Sequence, residues 1–109
     1  MEAIPMNSDV TLAGNEILAN IDHLFLRVPR TRYWMMIVNN VFDYEYDWFL
    51  SSKKKYQQER SQPLYVISNY DLEFLEAIVN YVGKRNLLTT YYRNFGNLVW
   101  PTAQRKIQS

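Results

Sequence analysis

The sequence predicts a small α/β domain of the α+β type, in which a three-stranded sheet carries packed helices. Short runs of β-branched and aromatic residues alternate with segments of helical periodicity, and Gly, Pro and Asn separate them. The 109 residues are 48% apolar and 16% aromatic, a composition typical of one folded domain with one core. We expect a flexible N-terminal leader over residues 1–9, a single α/β interaction domain over 10–100 and a polar tail over 101–109.

The first half of the domain is predicted to open with a hairpin. Val10–Ile21 has two short apolar pieces around the pair Gly14 and Asn15, and Gly-Asn between apolar runs is a hairpin signal. After Pro29, which breaks a short helical turn, Thr31 can cap a helix over "RYWMMIVNN". A β-strand over "YWMMIVNNVF" is the alternative, because Ile, Val, Tyr and Trp also suit strands.

The middle of the chain changes from polar to apolar. Residues 43–62 are charged and polar, and their pattern favours neither a helix nor a strand. Pro63 then introduces a predicted strand over Leu64–Ile67, a position that a proline can occupy at the start or edge of a sheet. The sheet therefore has three predicted strands, two of them from the opening hairpin.

The best-defined element is a helix near the end of the domain. Ser68 and Asp71 form an S-x-x-D capping signal before an apolar run that is wide enough to be buried on two sides. Gly83 is expected to end this helix in the left-handed conformation. Thr89 or Thr90 can cap a short terminal helix beyond it.

Composition limits the cellular setting and the kinds of partner. Twelve Lys and Arg against eleven Asp and Glu give a formal charge of +1, so no global field attracts nucleic acid or an anionic membrane. Without Cys the chain cannot form disulfides or cysteine-ligated metal sites. No basic and apolar leader and no apolar run of about 18 residues occurs, which predicts no membrane span and an intracellular, cytoplasmic setting, with the nucleus as the alternative.

The sequence offers little that could carry catalysis. His23 is the only histidine, so neither a metal site nor a His-centred triad has its other members. With three glycines, none of the phosphate-binding or nucleophile-elbow motifs is present. We therefore expect no enzyme, no catalytic residues and no cofactor.

A calcium site is the one metal hypothesis that the pattern raises. Asp43, Glu45 and Asp47 alternate as "DYEYD", like the start of a calcium loop. The sixth position is Trp48 where the loop needs glycine, and the twelfth is Lys54 where it needs glutamate. A solvated acidic segment is favoured, and we expect no metal.

Two clusters are candidates for binding. Aromatic residues among charges are typical of interface hot spots, which predicts protein binding through one cluster: Tyr44, Tyr46, Trp48 and Phe49. The cluster Lys53, Lys54 and Lys55, followed by Tyr56, is the candidate for nucleic-acid contact. Nucleic acid ranks below protein as a partner, because acidic residues flank the lysines and the net charge is nearly zero.

Two groups of residues also carry a family resemblance. The first group is Val10, Leu12, Gly14, Leu24, Arg27, Pro29 and Thr31. The second group is Leu64, Val66, Ile67, Asp71, Phe74, Ile78, Tyr81, Gly83 and Leu87. In this order they resemble the BTB/POZ fold, and most closely the tetramerisation domains of voltage-gated potassium channels and related adaptor proteins. The resemblance implies a self-associating or adaptor domain. The opening motif of the family has two consecutive glycines, and in this chain Asn15 replaces the second one.

The function predicted from these observations is a non-enzymatic protein–protein interaction module that forms a homo-oligomer or docks on a protein partner. The alternative is a small regulatory or inhibitory protein of another fold, for example a viral one, that binds a host macromolecule. Binding stoichiometry separates the two hypotheses.

Overall fold

A computed structural model describes residues 4–24 and 30–107. Two helices and four strands follow one another along the chain. They are α1 (Ile4–Leu24), β1 (Thr31–Asn40), β2 (Glu45–Lys54), β3 (Arg60–Ile67), α2 (Leu72–Gly83) and β4 (Thr90–Arg93). The mixed α+β class is confirmed, but the sheet has four strands where three were expected.

The strands form one sheet in the order β3-β2-β1-β4. β1, β2 and β3 are an antiparallel meander, and β4 pairs in parallel with β1. A parallel partner requires a crossover, and α2 provides it between the two edge strands.

The helices and the sheet form two layers around one core. The buried apolar side chains come from both helices, from alternate positions of the strands and from the C-terminal segment, and they contact one another in a single cluster. Its fully buried members with less than 2% exposure are Ile17, Met35, Ile37, Trp48, Leu75, Ile78, Val82, Phe95 and Ile107.

The predicted opening hairpin is wrong, because Val10–Ile21 is part of α1. Ala13, Ile17 and Ile21 are buried at intervals of four residues, which is the spacing of one helix face. The Gly-Asn pair resembles a turn locally, but here it faces α2 within a continuous helix. Packing of an amphipathic face has outweighed the local turn preference.

The strand alternative for "YWMMIVNNVF" is correct and the helix is wrong. β1 and β2 pair over ten residues, from Thr31 with Lys54 to Asn40 with Glu45. The unclassified segment 43–62 therefore contains β2 and the start of β3, and Pro63 lies within the edge strand β3. Neither β1 nor β2 is stable without the other, and this pairing is not readable from either segment alone.

The helix predicted after Ser68 is confirmed as α2, with one correction at each end. Asp71 itself is the N-cap, and its side chain accepts a hydrogen bond of 3.2 Å from the backbone N–H of Glu73. Gly83 is the last helical residue and does not have a positive φ, so the expected left-handed cap is wrong. The predicted terminal helix at Thr89 or Thr90 is instead the strand β4.

The ends of the domain differ from the expected leader and tail. α1 begins at Ile4, within the segment 1–9 that was expected to be a flexible leader. The C-terminal segment folds back on α2, with Ile107 only 1% exposed. Residues 1–3 and 108–109, the predicted turn before Pro29, and Arg27 and Pro29 of the family pattern lie outside the described residues.

Candidate functional site

The candidate site is the face of the sheet opposite the helices, here called the open face. Met35, Ile37 and Asn39 of β1 are buried against the helical layer, so the even-numbered residues of β1 point the other way. None of the side chains on the open face belongs to the core cluster. From β1 and β2 they are Arg32, Trp34, Met36, Val38, Asn40, Glu45, Asp47, Phe49, Ser51 and Lys53.

The centre of the open face is apolar. Met36 pairs with Phe49 on one side and with Tyr91 of β4 on the other. Tyr91 is 44% exposed, and Val66 on β3 is 50% exposed. Val66 pairs with Asp47, beside the row formed by Phe49, Met36 and Tyr91. Exposed apolar side chains rimmed by polar residues are typical of a binding surface.

One end of the open face is basic. Arg32 pairs with Lys53, and a backbone hydrogen bond of 3.2 Å joins Lys55 to Arg30. These four cations and Glu59 line an open cavity of about 250 Å³ together with Trp34, which is 6% exposed. The guanidinium carbon of Arg32 lies 5.0 Å from the centre of the Trp34 ring, a distance that allows a cation–π interaction.

The other end of the same two strands is acidic. The side-chain amide of Asn40 donates hydrogen bonds of 3.1 Å to Oδ2 of both Asp43 and Asp47. A hydrogen bond with Asp47, burial, and repulsion by Asp47 and Asp43 raise the pKa of Glu45. Three carboxyl groups are therefore held together with one amide between them.

The predicted partner-binding residues divide between the surface and the core. Tyr44 is 68% exposed and Phe49 is half-buried on the open face. Tyr46 and Trp48 are only 4% and 1% exposed, so the expected surface position of these two is wrong. Side chains alternate along β2, which sends every second residue of "EYDWF" towards the helices. Partner binding itself stays a prediction.

Much of the aromatic content fills the core, where Tyr46 is central. Its ring is stacked with Tyr70 at 5.0 Å and with Phe95 at 6.1 Å between centroids. Burial, then the nearby Tyr70 and Asp71, raises the pKa of Tyr46 to about 12. Burial likewise raises the pKa of Tyr92, which packs edge-on against Phe95, to about 12.

The predicted nucleic-acid residues also divide between the two faces. Lys53 and Lys55 lie beside the arginines of the basic end, whereas Lys54 lines a separate cavity of about 200 Å³ with Arg60. Sequence reasoning missed Arg30 and Arg32 because they are more than twenty residues away from the lysines. A predicted β-hairpin that pairs "RTR" with "KKK" would have placed Arg30 and Arg32 beside the lysines.

Chemistry of other kinds has little support in the described residues. In residues 4–24 and 30–107, no group of three His, Asp or Glu side chains is arranged to hold a metal ion. No helix of the same part of the chain has the length and apolar character needed to cross a membrane. The acidic end, where the calcium pattern lies, is thus a set of carboxylates without metal-site geometry.

Comparison with known proteins identifies no relative. No family model, no curated protein and no solved structure matches the chain. The resemblance to the BTB/POZ family therefore stays a prediction. Its first-half residues Val10, Leu12 and Gly14 lie in α1, while Asp71–Gly83 of its second half forms the N-cap and helix α2.

Proposed function

We propose that the protein is a non-enzymatic interaction module that binds a protein partner through the open face. The observation that supports this most is the partly exposed apolar centre formed by Met36, Phe49, Tyr91 and Val66, on a face that no described helix covers. Burying such side chains on association is favourable by about 25 cal/mol per Å² of apolar surface. A few aromatic anchors can carry most of that energy.

The open face also has the layout of an interface. Its centre is apolar and its two ends are charged, which matches the apolar core and polar rim of protein–protein contacts. The BTB/POZ resemblance agrees with an interaction role. Membership of that family and an intracellular setting are both part of this proposal. Catalysis is not part of the proposal.

Mutation of the two most exposed apolar residues of the open face tests the proposal. Val66→Lys with Tyr91→Lys places charges on edge strands of the open face, where folding should tolerate them because both side chains are already about half exposed. We expect loss of assembled mass in light scattering, or loss of an identified partner in cross-linking mass spectrometry. The control is Leu87→Lys with Leu98→Lys, since those leucines are 101% and 42% exposed and neither lies on a strand of the sheet. Equal assembly of both double variants would contradict the proposal.

Binding of single-stranded nucleic acid at the basic end is a second candidate function. It is favoured by four cations around Trp34 and by Tyr56, which is 88% exposed with the Lys55 ammonium 5.2 Å from its ring centre. Such a site combines phosphate neutralisation with base stacking. Fluorescence titration with an oligonucleotide should then show affinity that falls with salt, and Lys53→Ala with Lys55→Ala should reduce the salt slope. No salt-dependent binding would exclude it.

A further inference from the structure

The charge on the open face reverses from one end of the β1–β2 ladder to the other. The facing pairs are, in order, Arg32–Lys53, Trp34–Ser51, Met36–Phe49, Val38–Asp47 and Asn40–Glu45. Two cations therefore begin the series, apolar residues occupy its middle, and carboxylates end it. Each end has one exception: Glu59 lines the basic cavity, and Arg93 pairs beside Val38 on the edge strand β4.

The two ends are too far apart to neutralise each other within one chain. From the first pair to the last is eight residues, or about 27 Å at the rise of a β-strand. Charges in solution at physiological salt are screened over about 8 Å. The basic end and the acidic end therefore do not neutralise each other within one chain, and each can attract opposite charge from a partner.

Local neutralisation of the acidic end is incomplete. Asn40 supplies only an uncharged donor to Asp43 and Asp47. A hydrogen bond with Asp47, burial and then repulsion by Asp47 and Asp43 raise the pKa of Glu45. Among the described strand residues of this face, the cation nearest to Asp47 is Arg93, which is two strands away, or about 10 Å at ordinary strand spacing. A cation brought by a partner would relieve this repulsion.

We propose that the partner at the open face is a second copy of this chain, bound face to face with its strands antiparallel. A twofold axis through the Met36–Phe49 pair would stack the apolar centres and place the basic end of each copy on the acidic end of the other. The same surface then serves both subunits, as an isologous dimer requires. The net charge of +1 opposes association very little. This inference rests on the proposed function and names its partner.

The size of the face sets the strength of the dimer. Four strands at about 4.8 Å spacing and a length of about 27 Å give a face of roughly 400–500 Å² before side-chain relief is counted. Stable interfaces bury about 800 Å² per partner. The dimer should therefore be reversible, and its population should rise with protein concentration.

Reversal of the charges at each end tests the arrangement. The basic-end variant is Arg32→Glu with Lys53→Glu, and the acidic-end variant is Asp43→Lys with Glu45→Lys. Each variant alone brings like charges together at both contacts of the dimer, and its association constant should fall on the order of tenfold or more. An equimolar mixture restores attraction at both contacts, so a heterodimer should form. Sedimentation velocity measures all three samples, and circular dichroism checks the fold of each variant.

A matched control reverses two charges off the open face. Lys84→Glu with Arg105→Glu changes the net charge as the basic-end variant does, but these exposed residues lie at the end of α2 and in the C-terminal segment. This control should dimerise like the wild-type chain. A dimer that is lost in the control as well would show an effect of net charge only and would overturn the inference.

Other outcomes also decide the question. A wild-type chain that is monomeric at every concentration overturns the second-copy inference. The proposed function is then tested separately, by whether Val66→Lys with Tyr91→Lys abolishes binding of a different protein. A dimer that survives both charge reversals has its contact elsewhere and overturns the inference. Two monomeric variants that do not associate when mixed overturn the antiparallel arrangement. Recovery of the dimer only in the mixture supports it.

Discussion

Tyr81 of α2 lies with its ring against Gly14 of α1, and its hydroxyl donates a hydrogen bond of 2.6 Å to Oδ1 of Asn15. A β-carbon at position 14 would overlap the ring, so the glycine sets how closely the two helices approach. The guanidinium carbon of Arg85 lies 3.6 Å from the centre of the Tyr81 ring. The close approach of α1 and α2 at this point therefore depends on the absence of a β-carbon at residue 14.

Gly14→Ala should lower the free energy of unfolding by about 1–3 kcal/mol, because the new methyl group must displace a packed ring. Gly83→Ala is the matched control: it is helical, nothing lies within 4 Å of its β-carbon, and it should raise stability by about 0.5–1 kcal/mol. Urea unfolding of both variants checks the pair. A stabilising Gly14→Ala would mean that the helices do not meet here.

Trp48→Ala should destabilise the domain by about 3–5 kcal/mol, since a fully buried ring leaves a large cavity. Phe42→Ala, six residues earlier on the exposed turn and 90% exposed, should change the free energy of unfolding by no more than about 0.5 kcal/mol. Thermal unfolding followed by circular dichroism compares them. If Trp48→Ala keeps the melting temperature and abolishes partner binding, Trp48 is at an interface and the core assignment is incorrect.

Glu76 links α2 to the C-terminal segment and should make stability depend on acid. Its carboxylate accepts hydrogen bonds of 2.9 Å from the backbone N–H groups of Thr102 and Ala103. Burial by itself raises the pKa of Glu76, but these hydrogen bonds outweigh it and hold the pKa below the ordinary value of 4.5. The contribution to stability is therefore complete above about pH 4.5 and is lost as the pH falls through the lower folded-state pKa.

Glu76→Gln should remove this acid dependence and cost about 1–3 kcal/mol at neutral pH, because the amide offers one acceptor to two backbone donors. The measurement is the free energy of unfolding in urea as a function of pH. Glu73→Gln, exposed on the same helix, is the control and should cost much less. Parallel pH curves for the wild-type chain and Glu76→Gln would contradict the role of Glu76.

Ile107 should be part of the core although it follows a polar stretch. It is 1% exposed, and its backbone N–H donates a hydrogen bond of 3.0 Å to the carbonyl of Leu98. Ile107→Ala should cost about 2–5 kcal/mol, whereas Lys106→Ala on the exposed side should cost little. Equal midpoints in urea for these neighbouring variants would show that the segment is a free tail, as its composition suggests.

The elements whose signals are local could be predicted from the amino-acid sequence. α2 has a capping residue, a wide apolar arc and a suitable length, and each of these is fixed by residues within one or two turns of the helix. Asp71 and the helix that follows it were therefore predictable. The absence of cysteine and the nearly balanced charge also follow from composition alone.

Long-range contacts set the secondary structure of the segments whose local signals conflict with their packing. Gly14 and Asn15 resemble a turn until Tyr81 lies against them, and "YWMMIVNN" suits a helix or a strand until β2 pairs with it. The same holds for the site. In the sequence Arg32 and Lys53 are ordinary solvated cations. Only the antiparallel register of β1 and β2 makes them neighbours at one end of the ladder and places the carboxylates at the other end. The free energy of such contacts depends on residues far apart in the chain, so no local pattern can encode it.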